Sequence, residues 1–93
     1  METTNKILTK TELEDVFTRA IETQEQYIGV RIETQGCSKP EIIINPRENF
    51  SEKLAYYKRA YNDDLTLKSF NGIKITGFMY GYDFAEIQDM LVY

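Results

Sequence analysis

Lys53, Tyr56 and Arg59 are the residues whose types and spacing come nearest to a chemical function. At i, i+3 and i+6 they project together from one flank of a helix. Two cations beside an aromatic ring can hold a nucleic-acid strand. They can also anchor a protein partner, since Tyr and Arg are enriched where binding energy concentrates. Glu52 shares the flank, and a solvated helix face with aliphatic stems lying along the ring is the plainer use of the same residues. The three are expected to bind a partner and not to catalyse.

Catalysis has little to draw on. There is no histidine, which removes Ser–His and Cys–His pairs, imidazole metal sites and the commonest general base. Zinc patterns need several Cys or His, and only Cys37 is present. It lies in the turn-like run Gly36-Cys37-Ser38-Lys39. No base accompanies it, so an incidental exposed thiol is expected. Asp63-Asp64 could hold a hard cation, but Leu65, Thr66 and Leu67 do not supply the oxygen spacing of a calcium loop. A solvated connector is expected there. The five glycines form neither a P-loop nor a GxGxxG. We therefore expect no catalytic residue, no metal and no cofactor.

Composition sets the frame for that surface. Ninety-three residues suit a single domain over 1–93, with roughly 60–65% of the unfolded surface buried on folding. Apolar residues at 42% and charged residues at 28% are ordinary for a globular protein. No apolar run approaches the ~20 residues that span a bilayer, and METTNKILTK lacks the apolar segment of a secretory signal. One cysteine allows no internal disulfide, so a cytoplasmic setting is expected. The net charge of −4 argues against nonspecific DNA binding as the main role. The charge is uneven, though. Thr9–Gln26 holds five acids and two bases, Arg47–Asn62 four bases and two acids, and Asp83–Tyr93 three acids and no base.

The elements that must position these residues can be taken in order. Thr9 and Glu12 fit a capping box, with Leu8 and Leu13 as its hydrophobic staple. Leu13, Val16, Phe17, Ala20 and Ile21 then follow helical spacing, so a helix over 9–25 is predicted. Tyr27–Thr34 alternates as a strand with one wet face. Ile42-Ile43-Ile44 predicts a central, doubly covered strand, stopped at Asn45-Pro46. The central helix can start at Asn45 or at Asn49, and Asn49 is preferred. It has Glu52 three residues on, and it places Phe50, Leu54, Tyr57 and Tyr61 in one buried stripe over 49–62. Asn62 is expected as its left-handed C-cap. Leu65–Ser69 and Ile73–Tyr80 form a hairpin. A three-residue loop Phe70-Asn71-Gly72 keeps wet and dry faces apart, pairing Leu67 with Ile75 and putting Gly72 in a left-handed bulge. A last helix over 83–92 starts at Asp83, with Glu86 in the capping-box position, Tyr82 stapled to Ile87, and Phe84, Ile87 and Leu91 facing inward.

The order α-β-β-α-β-β-α predicts an α+β two-layer domain, a four-stranded antiparallel sheet covered by helices. Asn45-Pro46, Asn49-Phe50, Tyr56-Tyr57-Lys58, Ala60-Tyr61-Asn62-Asp63-Asp64 and Gly72-Ile73 lie in the central forty residues. On these residues the chain resembles small proteins of phages and conjugative elements in low-GC Gram-positive bacteria. The resemblance implies a mobile-element accessory protein and brings no catalytic residue. Such elements also encode small acidic inhibitors of host defence, some of which mimic DNA. The leading expectation is a non-enzymatic protein acting by protein–protein contact, with self-association as one form of it. The alternatives are a nucleic-acid-associated factor using the central helix, and an acidic inhibitor of host defence.

Overall fold

The computed structural model describes residues 8–81 and 85–88. Both halves of the Thr9–Glu12 capping box form, and α1 runs Lys10–Glu22. It ends shorter than its spacing predicts because Gln24 enters the left-handed region at φ 65°. That turn lets the Glu25 amide donate back to the Ala20 carbonyl at 3.2 Å, satisfying a carbonyl the helix leaves open. There follow β1 (Tyr27–Thr34), β2 (Glu41–Pro46), a 3-10 turn (Arg47–Asn49), α2 (Phe50–Ala60), β3 (Thr66–Leu67) and β4 (Phe70–Gly81). Residues 85–88 are helical.

The four strands make one antiparallel sheet in the order β2-β1-β4-β3. The fold is the predicted α+β architecture. Directly opposed residues share a face, so Val30, Ile43 and Phe78 lie together, as do Ile28, Asn45 and Tyr80. Against this face pack Leu13, Phe17 and Ala20 of α1 and Phe50 and Tyr57 of α2, all buried, with Leu54 and Val16 partly so. Each fully buried aliphatic or aromatic side chain contributes about 1.5–3 kcal/mol to this core. Phe17 meets Phe50 edge-on at 6.1 Å and Tyr57 at 5.8 Å, which locks α1 to α2.

The other face carries Gly29, Ile44 and Met79 in one row, and Arg31, Ile42 and Gly77 in the next. Arg31 folds across Gly77, where a Cβ would come within 3.4 Å of its guanidinium, and donates to Thr76 Oγ1 and O at 3.0 and 2.8 Å. Gly81 belongs to this face, opposite Tyr27. A Cβ there would reach Ile87 at 3.2 Å. Ile87 is fully buried yet stands outside the main core cluster, so the helical residues 85–88 pack at Gly81 on the face that α1 and α2 do not cover.

Several expectations are corrected. Ile42–Ile44 do not make a central strand. β2 is an end strand and its isoleucines are half-buried, while β1 holds the middle with Gly29 buried between Ile28 and Val30. The side predicted to be wet in β1 is therefore largely covered. Asn45 is not a turn residue but a buried member of β2. α2 does begin at Phe50 after Asn49, yet the Asn49 side chain makes no capping bond, because the 3-10 turn occupies the preceding residues. α2 stops at Ala60 when Tyr61 turns extended and bridges to Leu67. The left-handed residue in this connection is Leu65, at φ 70°, and not Asn62.

The loop Phe70-Asn71-Gly72 is also absent. Phe70 already pairs with Leu67 across Lys68-Ser69. The Lys68 amide donates to the Ala60 carbonyl at 2.9 Å, and Gly72 accepts from the Gln35 amide at 2.7 Å. These tertiary bonds outweigh the turn preference of Asn-Gly. The start of the last helix at Asp83, with Tyr82, Phe84 and Leu91, lies outside the described residues.

Candidate partner-binding surface

α2 brings the three sequence-predicted residues together. Its buried residues Phe50 and Tyr57, with the buried Tyr61 just past its end, fix the helix's rotation about its own axis. Residues 53, 56 and 59 are thereby set off the stripe. The Lys53 ammonium lies 5.6 Å from the centre of the Tyr56 ring and the Arg59 guanidinium 5.9 Å from it. Both distances are within cation–π range. Tyr56 is 38% exposed. Its inner edge rests on Tyr57, at 5.3 Å between ring centres, and on Tyr61, at 6.4 Å. The ring is thus held by the core at one edge and presented at the other.

A shallow open groove of about 520 Å³ runs over this flank, lined by Glu52, Lys53, Ala55, Tyr56 and Arg59. Among the described residues, no carboxylate stands within ion-pair distance of Lys53 or Arg59. Their charges are left for the ring and for whatever approaches it.

Arg47, counted in sequence among the bases of this region, does not belong to the surface. Its guanidinium donates to the carbonyls of Ala20, Glu25 and Ile21 at 3.0, 2.8 and 2.7 Å, closing the C-terminus of α1. The basic surface is therefore smaller than the composition of the segment suggests.

Beneath the groove the tyrosines stay neutral. Burial pushes the Tyr61 hydroxyl up to about 12. Burial likewise raises Tyr57, partly opposed by a hydrogen bond with Asn45. Neither can serve as a base near neutrality. The arrangement can bind a planar or anionic group, with the Glu52 carboxylate as the one acidic side chain of its lining.

Other sequence candidates fall elsewhere. Cys37 is exposed in the β1–β2 turn. Asp64 caps its own turn, accepting from the Thr66 amide at 3.1 Å and hydroxyl at 2.6 Å; these bonds hold its carboxyl below the usual value. Asp63 lies 3.8 Å from the Lys10 ammonium. Among the described residues, no group of three or more His, Cys, Asp or Glu is placed to hold a metal. No helix among them is long and apolar enough to cross a membrane. One feature escaped sequence reasoning: a depression of about 330 Å³ between α1 and β4, whose lining includes Val16, Arg19, Phe78 and Tyr80. Only pairing β4 with β1 brings these side chains together, and no local pattern encodes that pairing.

No family model, no curated protein and no solved structure matches this chain.

Proposed function

We propose that this chain is a non-enzymatic interaction protein that docks on a protein partner through the Lys53–Tyr56–Arg59 flank of α2. The observation that carries this reading is the half-exposed Tyr56 ring, set between two cations and backed by Tyr57 and Tyr61. A ring already held in place loses little freedom on binding, which is the property of an interface anchor. The cations favour a partner surface with carboxylates at its rim. A cytoplasmic accessory role in a mobile element is the biological setting that fits the resemblance in the central forty residues.

The nucleic-acid reading draws on the same cation–aromatic geometry. Glu52 in the groove and the net charge of −4 weigh against it, and the net acidity is the one feature that favours an inhibitor mimicking DNA. Affinity capture from host extract, comparing the native chain with Tyr56→Ala and with Lys53→Glu plus Arg59→Glu, separates these readings. A protein retained by the native chain and lost with both folded variants supports the proposal. Salt-sensitive micromolar binding to DNA or RNA, abolished by the charge reversal, would instead support the nucleic-acid factor. A partner retained equally by all three chains places the interface elsewhere.

A further inference from the structure

The two edges of the sheet differ in a way that bears on assembly. One edge is β3, two residues long, with its register to β4 shifted between Thr66 and Leu67. Short strands and bulges are the usual protection of an edge against pairing with another chain. The other edge is β2. It pairs with β1 over six consecutive residues without a bulge. It holds Ile42, Ile43 and Ile44 in its middle and has no charge between Glu41 and Pro46. Among the described residues no strand follows it. Its outward amides and carbonyls are a straight, aliphatic template.

We propose that two copies of this chain join through β2, antiparallel, about a two-fold axis passing through Ile43. The sequence of the strand selects this occupant and this register. A two-fold perpendicular to the sheet pairs residues symmetrically about its centre and keeps each face of the sheet on its own side. Centred on Ile43, it sets Ile42 against Ile44 of the second copy twice, and Ile43 against itself. Every aliphatic residue then meets an aliphatic residue on the same face. Glu41 falls opposite the neutral Asn45 and not opposite its own carboxylate. Pro40 falls opposite Pro46, so residues without an amide proton close the ladder at both ends.

Moving the centre to Ile42 sets Glu41 against Ile43. Moving it to Ile44 sets Ile43 against Asn45. Either shift mixes polar and apolar partners. The product is one eight-stranded sheet with all the described long helices on one face and four isoleucines in a continuous strip on the other. This edge shares no residue with the lining of the Tyr56 groove, and the proposal does not rest on that groove.

Two measurements test the pairing on the full chain. Sedimentation equilibrium at roughly 100 μM, where a modest edge contact is populated, should give twice the 10.9 kDa chain mass. A single-chain mass at that concentration overturns the proposal. Register is read by cross-linking. In a Cys37→Ser background, Ile42→Cys and Ile44→Cys are made separately, one carrying a tag, and oxidised alone and mixed. Opposed residues lie about 4.5–5.5 Å apart at Cα, within disulfide reach. Like residues two places out of register lie about 7–8 Å apart, beyond it. The mixed dimer should exceed either like dimer by at least about fivefold on these spacings. Equal yields of mixed and like dimers, or no cross-link at all, would overturn the register and with it the proposal.

Discussion

Asn45 shows how one buried polar side chain orders its surroundings. It is the buried polar residue of the described core. Its amide donates to the Ile28 carbonyl at 3.2 Å, and its side chain partly opposes the rise that burial imposes on the Tyr57 pKa. Removing one partner from a buried bond leaves the other unsatisfied. Asn45→Ala should therefore cost about 1–3 kcal/mol in chemical denaturation, and a change within error would show that the amide is dispensable. Tyr61 supplies a second prediction, in pH. Its folded pKa of about 12 lies above the ordinary 10.0. The stability tied to the neutral phenol is complete below the unfolded value and is lost as pH rises through the folded one. Denaturation midpoints should fall between about pH 10 and 12, and Tyr61→Phe should flatten that fall. A Tyr61→Phe curve parallel to the native one assigns the alkaline loss to another group. Tyr56 was legible in the sequence because helical spacing alone separates it from the buried stripe. Asn45 was not, since an Asn-Pro pair signals a turn by local preference and only the pairing with Ile28 makes it a strand residue.

Two cations joining the helices are the main device at the level of elements. Arg47, just before α2, closes the C-terminus of α1. Lys10, the first residue of α1, donates to the Lys58 and Tyr61 carbonyls at 3.0 and 2.9 Å, closing the C-terminus of α2. Each antiparallel helix thus ends on a cation supplied from beside its neighbour, the charge that a helix C-terminus favours. Arg47→Met should cost about 1.5–3 kcal/mol, because three carbonyls lose charge-assisted donors. Lys10→Met should cost less, about 1 kcal/mol, since its site is partly open to water. If thermal and chemical denaturation place Lys10→Met as the costlier change, the ranking by burial is wrong. The α1 start was readable because a capping box is local, satisfied within four residues. The Arg47 role was not, since its acceptors lie more than twenty residues away in the chain. The β3–β4 turn failed for the same reason. Asn71-Gly72 has the local chemistry of a hairpin turn, but backbone bonds from Lys68 to Ala60 and from Gln35 to Gly72 tie the chain elsewhere.

At the scale of the whole molecule, the centre of the sheet is where local pattern and tertiary position part company. Three consecutive isoleucines read as a strand covered on both faces, yet they occupy the edge. The strand that reads as one-sided, Tyr27–Thr34, is hydrogen-bonded on both sides, to β2 over Tyr27–Ile32 and to β4 over its full length. Burial by a neighbouring strand depends on pairing order, and composition does not encode order. Hydrogen exchange checks this topology directly. An amide of β1 is released only if β2 or β4 detaches, so opening there costs close to the global unfolding free energy. In β2, alternate amides point away from β1, and among the described residues no strand pairs with them. In dilute protein, amides of β1 and of the facing part of β4 should exchange slowest. Protection in β2 should alternate along the strand, with the outward amides faster by at least about a hundredfold, corresponding to opening free energies lower by about 2.7 kcal/mol. Uniform slow exchange along Glu41–Asn45 in dilute protein would mean that the outer edge of β2 is already paired within one chain, and the order of strands described above would have to be extended beyond it.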